Sequence, residues 1–175
     1  KSERGVECPG DLPSPSDPDL VARALAAKEA LGERVFVLGH SLGGMMAPRI
    51  GARDPQIAGL VLLAAPSRPL LDILIEQNRR MAILNDGKAS DAENIAIQQL
   101  TDSVAAVRSG REITAAQSPM GIAPAYWRSV EAVDPVAEAR AIVQPLLILQ
   151  GARDIQVVDA DWQGWKNAFH DSPGV

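Results

Sequence analysis

The stretch FVLGHSLGG, residues 36–44, decides how the rest of this sequence is interpreted. It places Ser41 between Gly39 and Gly43 in the pattern G-x-S-x-G, directly after an apolar run. The pattern alone is weak evidence, because glycine and serine are common and such matches arise by chance. Its neighbours make it informative: residues 34–38 (RVFVL), apolar on both faces, predict a buried strand of a parallel sheet, and residues 42–53 predict a helix.

A strand that turns at once into a helix would hold Ser41 in a strained backbone conformation. Gly39 and Gly43 would keep side chains out of the tight turn, and the Ser41 hydroxyl would project beyond the edge of the sheet. The backbone N–H of Leu42, at the start of the helix, would point at a developing oxyanion. His40 would pack beside this site. The simpler alternative is a glycine-rich turn in which Ser41 has no chemical role.

The pattern along the rest of the chain predicts an α/β protein with a mainly parallel sheet. Two apolar strands with a helix between them form a strand–helix–strand unit, and a later apolar segment returns to the strand pattern. The predicted elements, in chain order, are a loop over 1–17, helices over 18–31 and 42–53, a strand over 58–64, several helices within 67–141, a strand over 145–150 and a helix over 158–169.

Asp154 lies four residues after the predicted strand 145–150, in the stretch GARD. In a parallel sheet, that loop emerges at the same edge as Ser41. A carboxylate there could accept a hydrogen bond from a histidine and stabilise the imidazolium formed during turnover. The alternatives are that Asp154 caps the next helix or pairs with Arg153. Asp134, which precedes a proline, is a rival carboxylate but is better explained as the N-cap of a helix.

Neither of the two histidines in the chain is expected to be the general base. The side chains of His40 and Ser41 should diverge, because the two residues are adjacent at a tight turn. His170 follows the predicted helix 158–169, which carries the chain about 18 Å back along the sheet. It should therefore lie near the opposite edge, in a surface turn.

Two blocks of the sequence resemble a known family. Residues 35–50 (VFVLGHSLGGMMAPRI) resemble the nucleophile elbow of the α/β-hydrolase fold, particularly of bacterial carboxylesterases and dienelactone-hydrolase-like members. Residues 146–157 (LLILQGARDIQV) are similar to the acid-bearing strand and loop of that family. The likeness extends over residues 18–175 in layout, but these two blocks carry it.

The resemblance implies a serine hydrolase that cleaves carboxylic esters through an acyl-enzyme intermediate. Ser41 would be the nucleophile, Asp154 the acid of the triad, and the Leu42 N–H one oxyanion donor. In the family the histidine follows the next strand, so here it would lie beyond Val175. The second oxyanion donor would precede Lys1, and both ends of the chain therefore look truncated.

The same resemblance divides the chain into three parts. Residues 1–66 and 134–175 would form the hydrolase core, and residues 67–133 would form a helical cap inserted between strands. Apolar cap residues could line an acyl or alcohol pocket, although most should simply pack the cap onto the sheet. The candidates are Ile73, Leu74, Met81, Ile83, Leu84, Met120, Ile122, Tyr126 and Trp127.

Composition argues against nucleic acid and a membrane span, and the resemblance implies a small-molecule ester as the partner. The net charge of −5 comes without a basic stripe, which argues against nucleic acid. The apolar run at 58–66 is far shorter than the roughly 20 residues that a membrane helix needs. The single cysteine, Cys8, excludes an internal disulfide and a cysteine-rich metal site, and no cofactor is expected. A cytoplasmic location is favoured without excluding secretion, and the oligomeric state is open.

Other functions remain compatible with the same residues. The fold also hosts thioesterases, acyltransferases and peptidases, whereas a haloalkane dehalogenase would carry aspartate in place of Ser41. A domain that keeps the fold without a base would be a non-catalytic binding protein. The sequence does not choose a natural substrate.

Overall fold

The computed structural model describes residues 34–84 and 86–170. The loop predicted over 1–17 and the helix predicted over 18–31 lie outside the described residues and stay predictions. Among the described residues, no helix is long and apolar enough to cross a lipid bilayer.

Three parallel strands form the sheet of the described residues: β1 (Phe36–His40), β2 (Gly59–Leu63) and β3 (Leu146–Leu149). Their order in the sheet is β1-β2-β3. Leu38 faces Val61 across the first pair, and Val61 faces Leu147 across the second. Because the strands are parallel, their carboxyl ends, and the loops that follow them, share one edge.

The helices lie where the sequence pattern predicts periodic segments, and the turns between them lie where it predicts breaks. The helix predicted over 42–53 has those bounds, and Asp134 caps its helix through a hydrogen bond from the Ala137 N–H, 2.9 Å. The helices are α1 (Leu42–Arg53), α2 (Leu70–Ile83), α3 (Asp91–Arg108), α4 (Pro124–Glu131), α5 (Pro135–Ala141) and α6 (Asp159–Phe169), with 3₁₀ turns at Ala115–Gln117 and Pro119–Gly121.

One face of the sheet is packed against helices and the other is open in the described part of the chain. Leu60 and Leu62 of β2 are 1% and 0% exposed, and they pack with Ala47 of α1 and Trp165 of α6. On the opposite face Leu38 is 61% exposed. The expectation that β1 is buried on both faces is therefore not met among the described residues. Alternate side chains of a strand point to opposite faces, and helices cover one of them.

A second apolar cluster lies in the helices between β2 and β3. Leu71 of α2 and Trp127 of α4 pack with Val104 and Val107 of α3, all at most 4% exposed. These helices thus have a core of their own, as a helical insertion requires. The boundaries 67–133 for the cap stay a prediction.

An ion pair joins this insertion to the sheet-covering helix α6. Asp161 is fully buried and accepts hydrogen bonds from the Arg68 guanidinium at 2.7 and 3.2 Å and from the Ser67 N–H at 3.0 Å. Arg68 also donates to Glu76 of α2 at 2.9 Å. Because Asp161 is fully buried, these hydrogen bonds replace the water molecules that its side chain would otherwise bind.

We expect Asp161→Asn to lower the free energy of unfolding by about 1–3 kcal/mol. Breaking a buried pair costs more than that, but the partially exposed Arg68 recovers some hydration. Asp159→Asn, an exposed aspartate in the same first turn, should change it by less than about 0.5 kcal/mol. Urea unfolding followed by tryptophan fluorescence measures both. Equal effects in the two variants would contradict the assigned role of Asp161.

Candidate active site

Ser41 has the strained backbone that the sequence predicted. Its φ is 54° and its ψ is −122°, outside the small left-handed region that non-glycine residues visit. The Ser41 N–H donates to the Leu63 carbonyl of β2 at 2.9 Å, which ties the turn to the neighbouring strand. A conformation of this kind costs about 1–3 kcal/mol and persists only where the surroundings impose it.

The Ser41 side chain occupies the N-cap position of α1 without capping the helix. Serine at this position usually accepts a hydrogen bond from a backbone N–H of the first turn. The first backbone bond of α1 runs from Met45 N–H to the Ser41 carbonyl at 3.0 Å, so the N–H of Leu42 has no acceptor within the helix. The partial positive charge of the helix N-terminus lies beside the hydroxyl.

Two glycines are required where β1 meets α1, but they are not the expected pair. A Cβ at Gly39 would collide with the Gly43 carbonyl, and one at Gly44 would lie 2.7 Å from the Ala65 Cβ. Among the described residues, a Cβ at Gly43 would meet nothing within 4 Å. The steric requirement expected at Gly43 is therefore found at Gly44 instead. The helix backbone at 43 crowds Gly39, while Gly44 faces the end of β2.

The Asp154 carboxylate is held in place by its own loop. Oδ1 accepts hydrogen bonds from the N–H groups of Gln156 at 2.9 Å and Val157 at 3.1 Å. Oδ2 accepts a longer one, 3.4 Å, from the Gln150 side-chain amide, which also donates to the Val157 carbonyl at 2.6 Å. Asp154 does not cap α6, whose N-cap is Val158.

Gln150 is a residue that sequence reasoning missed. The sequence pattern predicts Gln150 as the last residue of the strand over 145–150, yet its amide holds both the Asp154 loop and the Asp154 side chain. The available signal was a polar side chain closing an otherwise apolar strand.

The sheet brings Ser41 and Asp154 to one edge. Ser41 follows β1, the Asp154 loop follows β3, and β2 lies between these strands. Two steps across a sheet span about 10 Å, which is too far for a direct hydrogen bond. The arrangement leaves room for a bridging group between the hydroxyl and the carboxylate.

The two histidines lie at opposite edges of the sheet. His40 is exposed and pairs in register with Leu63, on the open face of the sheet. His170 follows α6, whose last turn accepts a hydrogen bond at the Ala168 carbonyl from Arg140, 3.0 Å. Arg140 lies on α5, the helix that precedes β3, so His170 is at the amino-end edge of the sheet, opposite Ser41.

Three of the nine candidate pocket residues line a cavity. Met81, Ile83 and Leu84, together with Arg80 and Ile155, surround a cavity of about 280 Å³. Ile73 and Trp127 are buried at 1% and 4% exposure, and Met120 is 71% exposed. The remaining candidates, Leu74, Ile122 and Tyr126, pack against the cluster of the helical insertion.

The adjacent glycines of α1 allow a matched test of the elbow. Gly43→Ala should raise the free energy of unfolding by up to about 1 kcal/mol, because alanine favours helix and nothing occupies its Cβ position. Gly44→Ala should lower it, because the same gain is offset by a collision with Ala65. Urea unfolding of both variants checks the difference. A Gly44→Ala protein at least as stable as Gly43→Ala would contradict the close approach.

Comparison with known proteins agrees with this geometry. The pattern of the alpha/beta hydrolase family matches residues 4–172. Esterase EstD from Thermotoga maritima is 32% identical over 152 residues, covering 84% of this chain and 35% of the esterase. A short match joins 40 residues, 23% of this chain, to 10% of the quinolinate synthase of Streptomyces coelicolor at 88% identity. The chain thus spans about a third or less of the length of these relatives.

Solved structures show the same fold. An esterase from Pyrococcus furiosus superposes with a TM-score of 0.50 at 18% identity, over 90% of this chain and 49% of that one. A monoacylglycerol lipase from Paleococcus ferrophilus gives 0.51 at 18% identity, over 93% of this chain and 67% of that one. With the family pattern matched over nearly its whole length, the chain belongs to the alpha/beta hydrolase family.

Proposed function

We propose that Ser41 is the nucleophile of a serine hydrolase acting on carboxylic esters. The observation that carries the proposal is the strained Ser41 backbone at a strand–helix turn, with a hydroxyl that does not cap the helix. Strain of this kind is concentrated at functional sites. The similarity to esterase EstD supports the ester as the substrate class.

In the proposed reaction, Ser41 Oγ attacks the ester carbonyl carbon as an imidazole base takes its proton. The Leu42 N–H donates to the resulting oxyanion. The imidazolium then returns the proton to the departing alkoxide as the bond between the carbonyl carbon and the alcohol oxygen breaks. A water molecule then attacks the carbonyl carbon of the acyl-enzyme as the imidazole takes its proton. The bond to Ser41 Oγ breaks, Ser41 regains its proton from the imidazolium, and the carboxylic acid leaves.

Asp154 is proposed as the acid that orients this imidazole. Backbone N–H groups fix Oδ1, and within residues 34–84 and 86–170 the bond to Oδ2 is the longer one from Gln150, so a lone pair of Oδ2 can accept an imidazole N–H. The gap of about 10 Å between the ends of β1 and β3 supports a bridging base. The positions of His40 and His170 favour neither residue as this base, so the imidazole is proposed to come from outside residues 1–175.

Free imidazole should therefore restore activity to this chain. We expect p-nitrophenyl butyrate hydrolysis by the 175-residue chain to be slow alone and to rise with imidazole concentration, because the added base reaches the space between Ser41 and Asp154. Release of p-nitrophenolate measures the rate. The Ser41→Ala variant should show only the background reaction of imidazole with the ester in solution. The difference between its rate and that of the wild-type chain measures the hydrolysis that depends on Ser41.

Asp154 has a matched control in Asp159, an exposed aspartate at the start of α6. Asp154→Asn should lower the imidazole-dependent rate by about tenfold or more, because asparagine cannot stabilise the imidazolium. Asp159→Asn should leave it unchanged. Equal rates for the wild-type chain and Ser41→Ala at every imidazole concentration would contradict the proposal and favour a non-catalytic binding domain. Faster turnover of the matching thioester would favour a thioesterase.

A further inference from the structure

The side chain of Gln150, the residue directly after β3, is bonded to two acceptors at once. Its Nε2 donates to the Val157 carbonyl at 2.6 Å and to Asp154 Oδ2 at 3.4 Å. A carbonyl and a carboxylate can only accept, so the amide has to turn its nitrogen and not its oxygen toward them. An amide nitrogen carries two hydrogens, one for each of these partners. Among uncharged side chains of this length, glutamine alone meets that requirement.

The other oxygen of the Asp154 carboxylate is already occupied. Oδ1 accepts hydrogen bonds from the N–H groups of Gln156 at 2.9 Å and Val157 at 3.1 Å. These two bonds use both lone pairs of Oδ1, and the carboxylate cannot exchange its two oxygens without breaking both of them. Oδ2 is therefore the oxygen that a bridging imidazole would meet, and it is the one to which Gln150 is bonded.

The bond from Gln150 determines which direction of Oδ2 is open. A carboxylate oxygen has two lone pairs, and the amide uses one of them, which leaves the other for an imidazole N–H. The short bond to the Val157 carbonyl fixes the amide itself, so it can hold the carboxylate without moving. The distance of 3.4 Å to Oδ2 is long, and bonds at catalytic sites are often long until base and substrate are in place.

We propose that Gln150 is a positioning residue, which fixes Asp154 so that the open lone pair of Oδ2 accepts the N–H of the imidazole base. This inference rests on the proposed roles of Ser41 and Asp154. Gln150 acts through the carboxylate and is not itself catalytic. An imidazole oriented by one N–H keeps its second nitrogen free to take the proton of Ser41. The alternative is that Gln150 only supports the loop through Val157.

Two added bases separate positioning from support of the loop. Neutral imidazole has one N–H to donate and one nitrogen to accept a proton, whereas 1-methylimidazole accepts a proton but has no N–H. Only imidazole can therefore use Asp154. After subtraction of the Ser41→Ala rate, we expect the wild-type chain to hydrolyse p-nitrophenyl butyrate about tenfold faster with imidazole than with 1-methylimidazole.

Gln150→Met keeps the approximate length of the side chain and removes both donated hydrogens. It should abolish most of the advantage of imidazole and leave the rate with 1-methylimidazole unchanged, because the second base does not use Oδ2. Equal losses with both bases would overturn positioning and assign Gln150 to support of the loop. An undiminished advantage of imidazole would overturn it as well.

Gln163 provides the matched control. Its Nε2 donates to the Asp159 carboxylate at 3.4 and 3.2 Å on the first turns of α6, outside the proposed site. Gln163→Met thus removes the same kind of bond from an aspartate that has no proposed role. It should leave the rates with both bases unchanged. Circular dichroism verifies that both variants are folded.

Nuclear magnetic resonance of ¹⁵N-labelled glutamine side chains gives a measurement that does not depend on hydrolysis. Imidazole should shift the Gln150 amide signals, which Gln150→Met identifies by their loss, and leave those of Gln163 in place. Neither 1-methylimidazole with the wild-type chain nor imidazole with Asp154→Asn should shift them. Gln150 signals that no base moves would overturn positioning.

The two measurements also distinguish the failure of each proposal. Gln150 signals that respond to imidazole but not to 1-methylimidazole, in a chain that hydrolyses no ester, contradict the proposed function and support the orientation of Oδ2 by Gln150. Hydrolysis that needs Ser41 and Asp154, with the same advantage of imidazole in Gln150→Met, supports the proposed function and overturns the role of Gln150.

Discussion

The close approach of β1 and α1 at Ser41 is the constraint on which the candidate site depends. The chain reverses within one residue, and it can do so because Gly39 lies against the Gly43 carbonyl and Gly44 lies against Ala65. The hydrogen bond from the Ser41 N–H to the Leu63 carbonyl attaches this turn to β2. The strain at Ser41 is thus imposed by packing that no larger side chain would permit.

The helical insertion is attached to the core at two points, one just before α2 and one midway along it. Arg68 bonds the buried Asp161 of α6 as well as Glu76 of α2, and Gln77 bonds the loop that carries Asp154. Both attachments involve the carboxyl-end side of the sheet. The same contacts that hold the insertion in place also bring the apolar end of α2 beside Ile155, the residue that follows Asp154.

Much of the fold was predictable because its elements have strong local signals. The helix over 42–53 and the cap at Asp134 follow from periodicity and proline placement. The steric role of Gly44 was not predictable, because it depends on where Ala65 falls after β2. The role of Gln150 was not predictable either, because its partners depend on the path of the loop that follows β3. Most candidate pocket residues proved to be packing, since apolar periodicity does not distinguish a core from a groove.

Reaction with a fluorophosphonate, followed by peptide mapping, is the sharpest test of whether Ser41 is an activated nucleophile. The reagent forms a covalent bond with an activated serine hydroxyl, and the mapping compares Ser41 with every other serine of the same chain. With imidazole present, we expect the adduct to accumulate on the peptide containing Ser41 and to leave Ser67 and Ser118, whose hydroxyls are buried, unmodified. An adduct distributed among exposed serines, or absent from Ser41, would contradict it.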